Sequence, residues 1–441
     1  AFLGLAGWAY SKGISIVYGL AYGSIAYGLF FFIGPRINRL GRRAGYVTQP
    51  DFFEDRFGSK TLGVVAAVIS VVFIIPYLQL QLMGAGMIVQ IASGGAMGWK
   101  TAVLVCAAAI VIFVYVSGLR GIGWTNLLQA VIMLGGMFSV GILFPRRFFD
   151  GLGPMFETLE RLKPDHLVLP DSSGLGLSWY TSTALLCGLG MFVWPHIFAA
   201  TYSAKSERVV RRNAAILPLY QLALVPVIIV GFTCAAKAAT DSGFAAAITR
   251  PDHAMLIALV NYFPPWAAGL IGAGGLAASI STASALILAS ANLIARNIVQ
   301  KAAAPGMEEA RAARLGRMLV PAVTAAAVVF AFAAPGMLVN LLLMGYSGIS
   351  QFLPAVLLGF FSRRPTAAGI LAGLAAGLAV VLGCHAAGRE LVLGLHPGFL
   401  GLGVNFAVAV TVSSFTRKIE PDRLERFERL LAENGADDTE A

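Results

Sequence analysis

The chain has 441 residues, of which 58% are hydrophobic and 12% are charged, and its mean hydropathy is +0.78. A soluble domain carries charges on roughly a quarter of its residues, so this composition excludes a soluble protein and indicates a membrane protein. The formal net charge is +10, but the basic residues fall in short clusters between apolar runs instead of one surface stripe, which excludes a nucleic-acid partner.

Uncharged runs predict membrane crossings, because a helix needs about 20 apolar residues to cross about 30 Å of hydrocarbon. Single crossings are predicted in the runs 13–35, 61–99, 101–119, 121–145, 172–204, 213–236, 365–388 and 391–416. The run 254–295 predicts one long crossing after a re-entrant or surface segment broken at Pro264 and Pro265. The run 318–362 holds two crossings, separated by the helix-stop signal at 334–336.

With a fragment at 1–12, these runs amount to eleven crossings and part of a twelfth. We therefore predict an all-α transmembrane domain over 1–416 and a tail over 417–441. The chain opens without an initiator Met, and we expect the natural N-terminus to lie upstream of Ala1.

Lys and Arg collect in every second connection, which predicts the orientation of the crossings. The basic clusters are Arg36, Arg39, Arg42, Arg43, Arg56 and Lys60; Arg120; Lys205, Arg208, Arg211 and Arg212; Arg296, Lys301, Arg311, Arg314 and Arg317; Arg363 and Arg364; and Arg417 and Lys418. We predict that these connections and the C-terminus are cytoplasmic, in a bacterial inner membrane. The Arg/Glu-rich tail beyond Ile419 is typical of a solvated helix or, alternatively, of a partner-binding element, and no obligatory protein partner is evident.

Two crossings contain helix-breaking residues where a plain anchor would have Leu and Val. The first has Gly4, Leu5 and Gly7, and the second has the stretch 190–196, which includes Trp194-Pro195-His196. Interrupted helices at corresponding places in two halves of a chain are typical of transporters with inverted repeats, because an unwound backbone can replace water around a solute. The alternative is that Gly and Pro are simply frequent in membrane helices.

Several polar side chains are predicted at mid-depth, where they are candidates for solute binding. His196 is the single titratable residue well inside a predicted crossing, and the alternative is a neutral imidazole bonded to a neighbouring helix. Tyr77 and Gln81 share one helical face at i, i+4, and Ser347 and Gln351 belong to a similar polar patch. For both pairs, hydrogen bonding between helices is the alternative.

The predicted crossing in 254–295 carries a hydroxyl-rich face without any charge. Ala278, Ser281 and Thr282 stand at i, i+3 and i+4, so they share this face. Neutral oxygens suit an alkali cation, whereas a divalent ion would need carboxylates, and the predicted crossings contain none. Na⁺ is therefore the expected coupling ion, with no other cofactor. The alternative is that these hydroxyls bond back to carbonyls one turn earlier.

Three stretches resemble the sodium:solute symporter family: FLGLAGWAY at 2–10, GLRGIGWTNLLQ at 118–129 and ASIST at 278–282. The resemblance covers nearly the whole chain. It implies the inverted-repeat (5+5) fold of the bacterial leucine transporter, with additional C-terminal helices, and a sodium site formed by the Ala278 carbonyl and the hydroxyls of Ser281 and Thr282. It also implies further sodium ligands just upstream of Phe2. The family's signature Asp is Asn126 here, so we expect one sodium per cycle.

Trp194-Pro195-His196, with VRRNA at 210–214 and LPLY at 217–220, is similar to the bacterial monocarboxylate permease branch, which commonly lacks the Ser-Thr pair. A sodium-coupled symporter of a small organic anion is therefore our leading prediction, and a zwitterion such as an amino acid is the alternative solute. The predicted solute-binding residues are Gly4, Leu5, Gly7, Tyr77, Gln81, Trp194, His196, Ser347 and Gln351. A solute sensor is a weaker alternative, and an enzyme is excluded because the predicted crossings lack an Asp pair, a Ser-His dyad and a His-Glu cluster.

Overall fold

The structure is a computed structural model that describes residues 2–170 and 174–432; the side chains of Phe2 and of 116–128 lie outside the described residues. The α-helices are α1 (Phe2–Lys12), α2 (Tyr18–Ala44), α3 (Gln49–Phe57), α4 (Lys60–Ala92), α5 (Trp99–Phe149), α6 (Leu152–Leu162), α7 (Leu177–Gly190), α8 (Pro195–Tyr202), α9 (Glu207–Gln221), α10 (Leu224–Thr240), α11 (Ser242–Ala247), α12 (Ala254–Tyr262), α13 (Pro265–Asn292), α14 (Glu309–Ala333), α15 (Leu338–Ile349), α16 (Leu353–Phe361), α17 (Ala367–Ala386), α18 (Pro397–Phe415) and α19 (Pro421–Ala432). A π-helical segment, Leu293–Ala303, extends α13. In these ranges the single β-type pairing is an isolated bridge between Val392 and Leu395.

The described residues contain nine helices that are long and apolar enough to cross a membrane, or ten if the bent pair α7–α8 is one span. This confirms the predicted all-α membrane architecture. A shorter apolar helix, Trp99–Tyr115, coincides with the predicted run 101–119. The count of eleven crossings and the boundary of the transmembrane domain at 416 stay predictions.

The helix α1 reverses direction before α2 begins. Gly13 adopts φ +62°, and the Leu5 side chain would lie 3.4 Å from a Cβ placed on Gly19. A straight helix would separate these two residues by about 20 Å along its axis, so the chain turns back between α1 and α2. The fragment predicted at 1–12 is therefore a separate element from the first full crossing.

The helix α5 has two apolar arms, Trp99–Tyr115 and Gln129–Phe149, and they are antiparallel. Trp99 packs on Phe332 at the end of α14, whereas the Tyr115 hydroxyl donates to the Arg317 carbonyl near the start of α14. The second arm returns, because Phe144 stacks on Phe263 just before α13. The first arm of α5 therefore runs away from the end of the bundle at which Trp99 lies, and the second arm returns to that end. The signature residues Trp124, Thr125 and Asn126 have side chains outside the described part.

The bundle has two ends, which we name by the short helices they hold: the α12 end, with α6, α11 and α12, and the α3 end, with α3 and α19. The first helix, α1, runs towards the α12 end, where Gly13 meets His166. The broken pair α7–α8 starts at the α12 end and runs to the α3 end, where Tyr202 packs on Tyr46. The first crossings of the two halves therefore run in opposite directions, as an inverted repeat requires.

Most predicted helix breaks are confirmed, and one is wrong. Helices are interrupted at Pro264, between α14 and α15, and at Trp194, where α7 and α8 meet at 42°. By contrast, α1 is helical through Gly4 and Gly7. A Cβ on Gly7 would lie 2.8 Å from the Asp252 backbone, so this glycine permits close packing instead of unwinding.

The tail helix α19 packs against the rest of the chain at the α3 end. Phe427 is 4% exposed and packs on Phe52 and Phe360. Arg39 and Arg43 of α2 donate to the last carbonyls of α19, and Arg423 donates to the Asp55 carbonyl of α3. The expectation of a solvated tail helix therefore fails for one face of this segment, which α3 and α16 cover around Phe427, while the remaining positions of α19 are exposed or half-buried. Residues 433–441 lie outside the described part.

Candidate functional site

A cavity of about 280 Å³ lies between α1, α4, the second arm of α5, α13 and the start of α15. Its lining is Leu3, Gly4, Tyr77, Leu80, Gln81, Gly84, Ile88, Gln129, Ala130, Met133, Met137, Tyr220, Leu224, Gly275, Ala278, Ser279, Ser281, Thr282 and Leu338. Among the described residues that line it, none has a charged side chain. The cavity therefore offers hydroxyls, amides and apolar surface to whatever it binds.

The three predicted sodium-binding residues all line this cavity. Ser284, which does not, has a hydroxyl that donates to the Ile280 carbonyl at 2.7 Å. The hydroxyls of Ser281 and Thr282 make no such bond within the described residues. Ser284 therefore makes the bond to a carbonyl one turn earlier that we considered as the alternative to sodium binding. The oxygens of Ser281 and Thr282 remain available to the cavity.

Three predicted solute-binding residues, Gly4, Tyr77 and Gln81, line the same cavity. Gly4 is needed for close approach, because a Cβ there would lie 3.2 Å from the Leu338 Cβ. The backbone of α1 therefore forms one wall directly. Tyr77 and Gln81 contribute to a second wall from successive turns of α4.

Trp194 and His196 lie behind Tyr77 and do not line the cavity. The Trp194 ring centroid is 5.1 Å from that of Tyr77, and the His196 ring is 6.3 Å from it. Nδ1 of His196 is buried and has no hydrogen-bond partner in the part of the chain that the structure describes. The broken helix thus supports the Tyr77 wall from outside the cavity.

The other four predicted residues are not brought to the cavity. Leu5 packs towards α2, and Gly7 packs on Asp252. The Asp252 carboxylate accepts a hydrogen bond from the Leu338 amide. Burial raises the pKa of Asp252 to about 6, although this bond and the positive charge of Arg250 act to lower it. At the far side of α15, the Gln351 amide donates to the Ser347 and Gly398 carbonyls. For Gln351 the structure therefore shows hydrogen bonding between helices, whereas the Ser347 hydroxyl donates to the Leu343 carbonyl one turn earlier in α15.

Three polar lining residues were not predicted: Gln129, Tyr220 and Ser279. Gln129 and Tyr220 stand in the two family-like stretches that the sequence analysis quoted, so their position in those motifs was the signal. Oε1 of Gln129 is buried without a partner among the described residues, next to the cavity. A buried acceptor of this kind is costly unless something donates to it, which makes Gln129 a candidate contact for a bound solute.

Replacing His196 with Ala should weaken solute binding about five-fold and leave sodium binding nearly unchanged. The ring packs on Tyr77, which lines the cavity, and on Trp194 behind it, and losing these contacts costs roughly 1 kcal/mol. Isothermal titration with sodium and solute measures both constants. His385→Ala, on an exposed part of α17, is the control. Equal losses of sodium and solute binding would contradict a role confined to the solute side.

The chain matches known proteins along most of its length. The family model of the sodium:solute symporter family matches residues 1–377. The uncharacterized symporter YhjB of Bacillus subtilis is 35% identical over 430 residues, which is 95% of this chain and 86% of that protein. The sodium/proline symporter of Salmonella typhimurium is 27% identical over 360 residues, or 80% of this chain and 70% of that protein.

A similar fold occurs in the solved structure of a Na⁺-coupled sialic acid symporter in a substrate-bound, outward-open state. The TM-score is 0.75 at 14% sequence identity, over 95% of this chain and 87% of that one. At this identity the likeness concerns the fold alone.

Proposed function

The chain belongs to the sodium:solute symporter family, and from that premise we propose that it carries a small organic anion across the membrane together with one Na⁺. The Ala278 carbonyl and the hydroxyls of Ser281 and Thr282 contribute to the sodium site. Gly4, Tyr77, Gln81 and Gln129 contact the solute. Sodium and solute enter from one side, and rocking of one helix bundle against the other opens the cavity to the opposite side.

The main support for the sodium site is that the hydroxyls of Ser281 and Thr282 line the cavity and have no hydrogen-bond partner among the described residues. A dehydrated sodium ion needs several oxygen ligands, and neutral hydroxyls and carbonyls can supply them without adding negative charge. A proton-coupled alternative lacks comparable support, since none of the described residues that line the cavity is titratable near neutral pH.

Charge balance supports an anionic solute. The described side chains of the cavity lining are uncharged, and burying a net charge in surroundings of low dielectric constant is costly. One Na⁺ and one monocarboxylate sum to zero, whereas one Na⁺ and one zwitterion leave a net positive charge. The zwitterion remains the second candidate, because several relatives at 26–28% identity are sodium/proline symporters or a proline transporter.

The α3 end is the proposed cytoplasmic end, with the C-terminal tail on that side. The support is the clustering of Arg36, Arg39, Arg42 and Arg43 and of the Arg208–Arg212 group at this end, as the positive-inside rule expects. The membrane is proposed to be a bacterial inner membrane, in line with the bacterial relatives.

Uptake into proteoliposomes tests the coupling and the charge of the solute together. Labelled short monocarboxylates and labelled proline are offered under an inward sodium gradient, with and without a valinomycin-set potential that is negative inside. We expect sodium-stimulated uptake of a monocarboxylate at a rate that the potential leaves unchanged. Sodium-stimulated proline uptake that the potential accelerates would replace the anion by the zwitterion, and no sodium stimulation for any solute would refute the coupling.

A further inference from the structure

The sodium-site helix α13 extends without a break into the π-helical segment Leu293–Ala303. Runs of π-helix are rare and are found mostly at functional sites. Two side chains of this segment contact the same carboxylate of α3: the Asn297 amide lies 3.2 Å and the Lys301 ammonium 2.8 Å from Oδ1 of Asp51. A displacement of α13 along its axis would therefore move the two side chains that bind Asp51.

Asp51 also holds the first turn of α3 together. Its Oδ2 accepts the backbone amides of Val47 at 3.0 Å and Thr48 at 2.8 Å, which is the capping-box arrangement. Burial favours the neutral acid, but the Lys301 ammonium and the two amides outweigh it, so the pKa of Asp51 lies below its usual value. The ionised carboxylate therefore joins the π-helical segment to the start of α3.

The same turn of α3 reaches the broken helix α7–α8. The fully buried side chain of Gln49 donates its amide to the Val193 carbonyl at 2.7 Å. At the break, the amide of Ile197 bonds the Trp194 carbonyl, so Val193 has lost the donor that a continuous helix would supply. Gln49 takes the place of that donor, immediately before the Trp194 ring that packs on Tyr77 of the cavity.

We propose that the first turn of α3 couples the sodium site to the solute site, with Asp51 and Gln49 as positioning residues at its two ends. This inference rests on the proposed sodium coupling. Binding of Na⁺ on α13 shifts the π-helical segment, Asp51 transmits the shift to α3, and Gln49 fixes the Val193 carbonyl and so the position of Trp194. The alternative route is direct, because α8 also packs on α13.

Hydrogen–deuterium exchange of the full-length protein in nanodiscs separates these routes, with sodium alone as the probe and potassium as the reference ion. In the parent, sodium should slow exchange about five-fold or more both in the α13 peptide around Ser281 and in the peptide spanning 191–200. In Gln49→Leu, which keeps the volume and removes the donor, sodium should still slow exchange in α13 but slow it less than two-fold in 191–200.

Gln300→Leu is the matched control. Gln300 lies on the π-helical segment and likewise donates its amide to one backbone carbonyl, that of Met307 at 2.9 Å, but in the described part of the chain it makes no bond to α3. We expect it to retain sodium protection in both peptides. A merely structural Gln49 would change exchange equally in sodium and potassium, so the sodium-dependent difference is the deciding quantity.

Each other outcome is informative. If Gln49→Leu keeps the sodium effect in 191–200, direct packing of α8 on α13 carries the coupling and the inference is overturned while the sodium site stands. If sodium slows exchange in neither peptide of the parent, the sodium site itself is refuted. Asn297→Leu combined with Lys301→Met removes both contacts of the π-helical segment with Asp51 and should reproduce the Gln49→Leu pattern; retained protection in 191–200 would contradict the proposed role of Asp51.

Discussion

Removing either cavity hydroxyl of α13 should raise the apparent sodium constant for uptake roughly 5- to 150-fold. Ser281→Ala and Thr282→Ala each delete one oxygen that has no other partner within the described residues. Losing a ligand of a dehydrated ion costs about 1–3 kcal/mol, comparable to an unsatisfied buried polar group. Alanine is a good helix former, so α13 should remain folded. Uptake measured against sodium concentration gives the constants.

Ser284→Ala and Ser290→Ala are the controls on the same helix. Both side chains are buried away from the cavity, and the Ser284 hydroxyl already donates to a carbonyl one turn earlier. Their curves should overlay the parent. If all four variants give the parent curve, the hydroxyls of Ser281 and Thr282 are helix-packing groups and the sodium assignment is wrong.

A side chain at Gly231 should abolish at least nine-tenths of the uptake. A Cβ there would lie 2.4 Å from the Ala6 carbonyl oxygen and 2.5 Å from the Ala9 Cβ, where α10 crosses α1. The obstacle is backbone, so Gly231→Val must displace α1, and overpacking of this kind costs about 1–3 kcal/mol. Because Leu3 and Gly4 of α1 line the cavity, both sodium and solute binding should weaken.

Gly28→Val on α2 is the matched control, since no atom lies within 4 Å of a Cβ at that position. Its uptake should equal that of the parent at equal amounts of protein in the membrane. Uptake by Gly231→Val above half the parent rate would mean that α1 can move without consequence for the cavity, and would contradict its role as a wall.

Local chemistry predicted most of the membrane fold. Lipid demands long apolar runs, and proline at 195 and at 264–265 leaves few positions for a helix break, so these features were readable from the sequence. Glycine is ambiguous, because the same residue permits unwinding and close packing. Gly7 was predicted to unwind α1, but the contact that decides its role is with Asp252, far away in the chain.

The residues of the candidate site were likewise predicted only in part. The i, i+3, i+4 spacing correctly placed Ala278, Ser281 and Thr282 on one face, and that face meets the cavity. Spacing also placed Ser347 and Gln351 on one face, but it could not say which neighbour that face meets, and the neighbour is α18. The bond between Lys301 and Asp51 joins residues 250 positions apart and leaves no local pattern to read.

The docking of α19 has a consequence for biosynthesis. Arg423 and its partner Asp55 are separated by 368 residues, so a ribosome adding about 5–20 residues per second needs roughly 20–70 s to supply the second after the first. Between the synthesis of α3 and the synthesis of α19, the aromatic face of α3 around Phe52 lacks the Phe427 ring that packs on it in the finished protein. Chains that stop before α19 keep only the cover that Phe360 and Phe198 give to Phe52, and the added apolar exposure is the kind of surface by which chaperones and proteases distinguish unfinished chains from completed ones.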